Sequence, residues 1–228
     1  MVRTPTTAGW RRRDDILAGA LRCFARRGVR ATTIEDIRAE SGASIGSIYH
    51  HIGGKDDIVA SLYTEAVSAY RRGIISALGS RSAPRAAVRT AVEFHVTWID
   101  AHRDLARLML RWDESELSKA GRTQLAKEAR RFAKEMGEWL QAGVRSGLVR
   151  TFPPELYGAL FMGPLLEFGR LQVDARTSVP VEQSAPQLAD AIWRSLAAKP
   201  KRDERAVRLR TQTNLSRVTA RLERPPKG

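Results

Sequence analysis

Among 228 residues there is one cysteine, Cys23, and no apolar run approaching the ~20 residues that a membrane-spanning helix needs. One thiol excludes an internal disulfide framework and a thiolate zinc site. Lying between Leu21 and Phe24 on a helical stretch, Cys23 reads as a buried packing residue. The opening segment, MVRTPTTAGWRRRDD, has arginines with no apolar stretch behind them, so a secretory leader is not expected. Cytoplasmic residence without a membrane partner is the expectation. The patterns that carry chemistry are also missing: there is no Gly-rich phosphate loop, no nucleophile elbow and no H-E-x-x-H pair. His95 and His102 are seven residues apart. By helical rise that is about 10 Å, too far for one metal ion without another chain segment. His50 and His51 are adjacent and point to different sides. Asp113, Glu114 and Glu116 sit together in a polar stretch that reads as a solvated loop. No catalytic residue, metal or cofactor is expected.

Acidic residues are the scarcer sign, 25 against 39 lysines and arginines, which leaves a net charge of +14. Such an excess favours a polyanionic partner. Its distribution weakens the inference for the folded part, because residues 199–228 hold ten Lys/Arg and three Asp/Glu, half of the net charge. A tail of this kind suits solubility, a nucleic-acid arm or a membrane-surface patch alike.

Alternating strand patterns are absent too, and helical periodicity runs from residue 10 to 198. Ile16, Leu17, Ala20, Leu21 and Phe24 form an apolar stripe ended by Gly28. Thr33 opens a second helix, with Asp36 three residues on as in a capping box. Gly42 breaks the chain, and Ser44 caps a short helix through His51. After Gly53 and Gly54 a longer helix is expected from Lys55 to near Leu78. Others follow from Pro84 to near Ala101, Arg103 to Arg111, Lys119 to Arg145 with Gly147 beyond it, and a segment opened by Pro153-Pro154 that runs to near Val173. DARTSVPVEQS reads as a proline-broken loop, with Pro186 in the first turn of a last helix ending near Ala198. Beyond Pro200, Leu215, Val218 and Leu222 fit either a short amphipathic helix or disorder. The fold class is therefore all-α. Residues 1–9 are expected to be flexible, 10–54 to form a helix-turn-helix domain, 55–198 a helical body and 199–228 a basic tail.

The informative block is TTIEDIRAESGASIGSIYHHIGGKDDIV, residues 32–59. Two short helices with glycine at the turn, behind a supporting helix, make a helix-turn-helix. Ile34, Ile37 and Ile48 can close its core. Ser44, Ile45, Gly46, Ser47, Tyr49 and His50 are left near the outer surface of the second helix, whose small first residues let the backbone lie deep in a major groove. Tyr49, His50 and Lys55 can donate to phosphate oxygens, and the helices opening at Thr33 and Lys55 offer backbone N–H groups as well. The block resembles the DNA-binding segment of the tetracycline-repressor (TetR) family. Thr32, Thr33, Asp36, Ile37, Gly42, Ser44, Gly46, Ile48, Tyr49, His51 and Lys55 stand at matching spacing. It departs at Arg38 and Ser41, where alanine is usual, and at Ala43 and Ile52, in place of valine and phenylalanine. Upstream, GALRCFARRGVRAT resembles the end of the family's first helix, and QAGVRSGLVR the end of its seventh. Arg11, Arg12, Arg13, Arg26, Arg27 and Arg30 add a basic surface.

The resemblance implies that the later helices enclose a small-molecule pocket and that the last two pair with a second subunit. Residues 156–169, LYGALFMGPLLEFG, are apolar nearly all round, as a helix buried on every side would be. The candidate dimer seam is Leu156, Leu160, Gly163 and Glu167 with Leu188, Ile192, Trp193 and Leu196. Candidate pocket residues are His95, Trp98, Met109, Trp112, Phe132, Met136, Trp139, Phe161 and Leu165, a lining suited to a hydrophobic or aromatic effector, although each also fits plain core packing. Pro164 should kink its helix, making either a pocket wall or only a bend. Glu93 and Glu167 are the candidate counter-charges for a cationic ligand, or else surface carboxylates. The implied function is a homodimeric regulator, usually a repressor, that binds palindromic double-stranded DNA and is released by a small molecule. Two other classes compete: a non-specific nucleoid-type DNA coater, and a helical enzyme acting on an apolar substrate, for which no acid/base or nucleophile set is present. If the tail adds phosphate contacts, deleting residues from Pro200 onward will flatten the dependence of log K on log salt in a DNA-binding titration. An unchanged slope would make it a bystander.

Overall fold

The computed structural model describes residues 7–112 and 117–198. The expectations for Asp113, Glu114 and Glu116 and for the basic tail lie outside the described residues. The elements are α1 Thr7–Arg27, α2 Ile34–Ser41, α3 Ile45–His51, α4 Lys55–Gly79, α5 Pro84–Ala101, α6 Arg103–Arg111, α7 Lys119–Arg145, α8 Pro154–Val173 and α9 Val181–Leu196. Among the described residues there is no strand, only an isolated bridge between Val149 and Ala197 that ties the α7–α8 connection to the end of α9. No helix among them is long and apolar enough to cross a membrane.

Local chemistry sets the helix ends. Thr33 and Asp36 form a reciprocal capping box at α2, and Ser44 Oγ accepts from Ser47 N at α3. Gly42 ends α2 with φ 66°, a left-handed conformation in which its N–H reaches the Arg38 carbonyl. Pro84 occupies the first turn of α5, where its missing N–H has no partner to lose.

Two elements depart from expectation. α1 begins at Thr7, inside the segment expected to be flexible. α9 begins at Val181, so Pro186 lies within it and not in its first turn. The physical reason is burial. Ser184, Ala185, Ala189, Ile192 and Leu196 make one buried stripe, and burying it outweighs the hydrogen bond that Pro186 cannot give.

Two large apolar clusters result, with a small third one that joins Tyr63 and Val67 of α4 to Leu117 and to Leu125 of α7. The first joins Ile16, Leu17, Ala20 and Phe24 of α1 to Ile37, Ala43 and Ile48, and then to Ile58, Val59 and Leu62 of α4 and Leu108 of α6. The second is built from α4, α5, α6, α7, α8 and α9 around Ile74, Val92, Ile99, Leu165 and Ile192. An expected boundary after residue 54 thus falls inside the first cluster, and the described residues through Ala197 form one compact unit. At Gly42 a Cβ would meet nothing within 4 Å, so Gly42→Ala tests backbone conformation alone. It should lower stability in urea unfolding by about 1 kcal/mol, and no change would mean that the left-handed turn is not required.

Candidate nucleic-acid interface and effector cavity

α3 stands out from the head by its outer face. Ile48 is fully buried and anchors it, while Ile45 and Tyr49, one turn apart, are 41% and 56% exposed. Ser44, Gly46 and His50 are exposed as well, Ser47 is half-buried, and no atom lies within 4 Å of where a Gly46 Cβ would stand. An aliphatic side chain, a phenol and bare backbone on one convex face are what a groove of base edges and thymine methyls accepts. The departures from the family pattern have local reasons. Ser41 Oγ donates to the Ile37 carbonyl at 2.7 Å and accepts from Ala43 N at 3.3 Å, stitching the turn. Ile52 packs against the head cluster.

The expected phosphate donors fare unevenly. Lys55 Nζ lies 3.2, 3.4 and 3.0 Å from the carbonyls of Val29, Arg30 and Thr32, so its ammonium braces the α1–α2 connection. Thr33 directs both its N–H and its hydroxyl to Asp36 Oδ2, at 2.9 and 2.8 Å. These bonds, followed by the nearby Arg27 guanidinium, hold the Asp36 carboxyl below its usual range. Asp57 takes the Gly54 N–H at 2.9 Å, and Asp56 stands beside it in the first turn of α4. Both helix starts therefore carry their own carboxylates and are poorer phosphate sites than the sequence implied.

The basic surface is partly neutralised in the same way. Arg22 and Arg26 both grip Glu40, and the Arg26 and then the Arg22 hydrogen bond draw its carboxyl down to about 2. Arg13 pairs with Glu65 and Arg27 with Asp36. Arg11 and Arg12 are exposed, with no ion-pair partner among the described residues. Cys23 is buried, its thiol pushed up by that burial, which suits packing and not reactivity.

A cavity of about 460 Å³ opens between α4, α6, α7 and α8. Of the candidate pocket residues, Met109, Trp112 and Phe132 line it. The others do not. His95, Phe161 and Leu165 are fully buried, Trp98 and Met136 nearly so, and with half-buried Trp139 they pack in the second apolar cluster. They face inward because α5 and the buried side of α8 are the centre of that core, so their size fills space instead of enclosing it. Sequence reasoning missed Tyr63, Val67, Tyr70 and Arg71 of α4, Leu110 of α6, and Leu166 and Arg170 of α8. The signal was available: 63, 67, 70 and 71 share one face of α4 by helical spacing. Glu93 pairs with Arg89 at 2.8 Å and Glu167 with Arg170 at 3.3 Å, so neither is a bare counter-charge.

Comparison with known proteins fixes what this architecture is. Residues 16–62, from the buried start of the α1 stripe to Leu62, match the family described as "Bacterial regulatory proteins, tetR family". The HTH-type transcriptional repressor KstR2 of Rhodococcus jostii (strain RHA1) is 31% identical over 144 residues, spanning 61% of this chain and 69% of that protein. The chain belongs to the TetR family. It is thus a DNA-binding transcriptional regulator. Among solved TetR-family structures, PfmR from Thermus thermophilus aligns with a TM-score of 0.68 at 26% identity, over 78% of this chain and 97% of that one. KstR2 of Mycobacterium tuberculosis, a ketosteroid transcriptional regulator, aligns with a TM-score of 0.67 at 20% identity, covering 87% and 98%.

In this TetR-family chain the expected dimer residues divide. Leu156 is 46% exposed, Gly163 and Glu167 are exposed, and Leu160, Leu188 and Trp193 are half-buried. Ile192 and Leu196, at 1% and 0% exposure, belong to the chain's own core and have no surface to offer a partner. On α9 they belong to the buried stripe, and half-buried Leu188 and Trp193 lie beside it.

Below the cavity, Tyr70 OH and His95 Nδ1 meet at 2.8 Å. Burial drives the His95 imidazole down to about 4 from an ordinary 6.5, and the Leu165 carbonyl only partly offsets this. The unfolded chain takes up that proton near 6.5 and the folded one only near 4. Stability is therefore complete above 6.5 and is lost as pH falls toward 4, by roughly 3 kcal/mol. Urea unfolding between pH 7 and 4 should show this extra loss in the wild type relative to His95→Gln. Parallel curves for the two proteins would refute it.

Proposed function

We propose that this regulator is a homodimeric repressor that leaves a palindromic operator when a small, largely apolar molecule occupies the cavity beneath α4 and α6. The observation that carries the reading is the placement of Trp112. Its indole lines the cavity and at the same time packs against the head cluster, which Leu108 of α6 enters from the body. α6 is in turn held to the end of α8, where Arg107 donates to the Val173 carbonyl at 2.8 Å and Arg111 pairs with Asp174.

A second groove, about 520 Å³, lies between the α1–α2 connection and α6, with Trp112 and Leu108 on its floor. It leaves room for small adjustments of α6 against the α1–α2 connection. A ligand that favours one position of α6 changes the tilt of the head and hence the spacing of two recognition helices. Its differential affinity for the two arrangements sets the response. The partner subunit would dock on the exposed side of α8 and α9, at Leu156, Leu160, Gly163 and Glu167 with Leu188 and Trp193. That placement would set the two α3 helices about 34–36 Å apart, in successive major grooves. Ile45 would meet thymine methyls, and Tyr49 and His50 would hold phosphates. The setting is the nucleoid of the cytoplasm.

Selection from a random duplex library, repeated at raised salt, tests this. One inverted repeat should survive, bound ~10³-fold or more above random sequence. Uniform recovery of all sequences would favour the non-specific coater. Tyr49→Phe should weaken every sequence alike, by roughly 1 kcal/mol for one lost hydrogen bond, and a loss confined to one base pair would contradict its phosphate role.

A further inference from the structure

Two of the polar groups around the cavity are donors left unmet. Arg71 Nη1 and Trp112 Nε1 are both buried and both lack a hydrogen-bond partner. Each is a donor with no acceptor function. The guanidinium of Arg71 lies over the Phe132 ring, 5.8 Å from its centroid, which orients it without satisfying its N–H groups. Among the described lining residues there is no aspartate or glutamate. The other lining cation, Arg170, is matched by Glu167 at 3.3 Å, and the Tyr70 hydroxyl is engaged by His95. Among the described residues the cavity therefore presents one positive charge without an ion-pair partner, two unmet donors, two phenols and a second, paired arginine on an aliphatic and aromatic lining.

An occupant made only of carbon would leave both donors unmet, at a cost in affinity. A cationic occupant would add a second positive charge beside Arg71. What completes the site is an oxygen acceptor carrying a single negative charge at one end of an apolar body. Resting on the effector reading above, we infer that the ligand is an apolar monocarboxylate, its carboxylate held by Arg71 with the Trp112 indole N–H as a further donor. This also assigns a route for the signal, because the group that recognises the acid at Trp112 is the one packed against the head cluster.

The test uses the full chain and two acids of different shape, decanoate and 4-phenylbutanoate, each beside its methyl ester. Affinity is read by calorimetric titration and operator release by fluorescence anisotropy. The wild type should bind at least one acid about ten-fold or more tighter than its ester, the difference between a charged and a neutral hydrogen bond. Arg71→Met and Arg71→Gln should bring that ratio to about one while ester affinity is kept, which also shows that the variants are folded. Trp112→Phe should weaken the acid and uncouple binding from operator release. An ester as tight as its acid in the wild type, or an acid preference that survives both Arg71 variants, overturns the carboxylate assignment. Operator release by esters alone overturns it too, but leaves the effector cavity standing. Absence of binding by all four compounds overturns both.

Discussion

One helix is buried in two cores at once. α4 gives Ile58, Val59 and Leu62 to the cluster beneath the recognition helix, and Tyr70, Ile74 and Leu78 to the cluster of the body. Between them, Tyr63, Val67 and Arg71 face the cavity. Because a regular helix fixes the relation of every turn to the next, the middle of α4 cannot move without imposing a displacement on one core or the other. The position of α3, the volume of the cavity and the register of α6 all follow from that rigidity.

Electrostatics in the head divides its arginines between structure and recognition. Glu40 draws Arg22 and Arg26 onto α2, and Asp36 holds Arg27 as well as the cap of its own helix. Lys55 braces the connection between α1 and α2 through three carbonyls. The charges that look like a DNA-binding patch in one dimension thus partly fix the scaffold in three, and the exposed face of α3 is left to neutral side chains. A surface arranged this way separates positioning from reading.

Much of this was legible in the sequence because caps and breakers act locally. Thr33 with Asp36, Ser44, Gly42 and Pro84 placed the starts and ends of their helices, and the buried set Ile16, Leu17, Ala20 and Phe24 followed from helical spacing. What failed depended on tertiary packing. Pro186 reads as a start signal, yet burial of Ser184 and Ala185 carries α9 a turn and more before it. His95, Trp98 and Phe161 look like pocket residues by type, but type does not reveal which side of a helix meets a neighbour. Lys55 looked like a phosphate ligand because carbonyls from a distant connection cannot be seen in a linear pattern. Arg71 was invisible for the same reason: its significance lies in an Nη1 that no acceptor among the described residues meets.

Leu108 carries a consequence for the way such proteins are taken apart and recombined. It sits in the body by sequence, on α6, and in the head by contact, 6% exposed among Ile58, Val59 and the residues of α1. A chimera joined at the start of α4 would inherit the recognition surface and lose part of the floor beneath it, leaving an apolar gap in the transplanted core. Heads built this way are portable only together with a matched α6, so the evolutionary unit that carries DNA specificity is discontinuous in the chain.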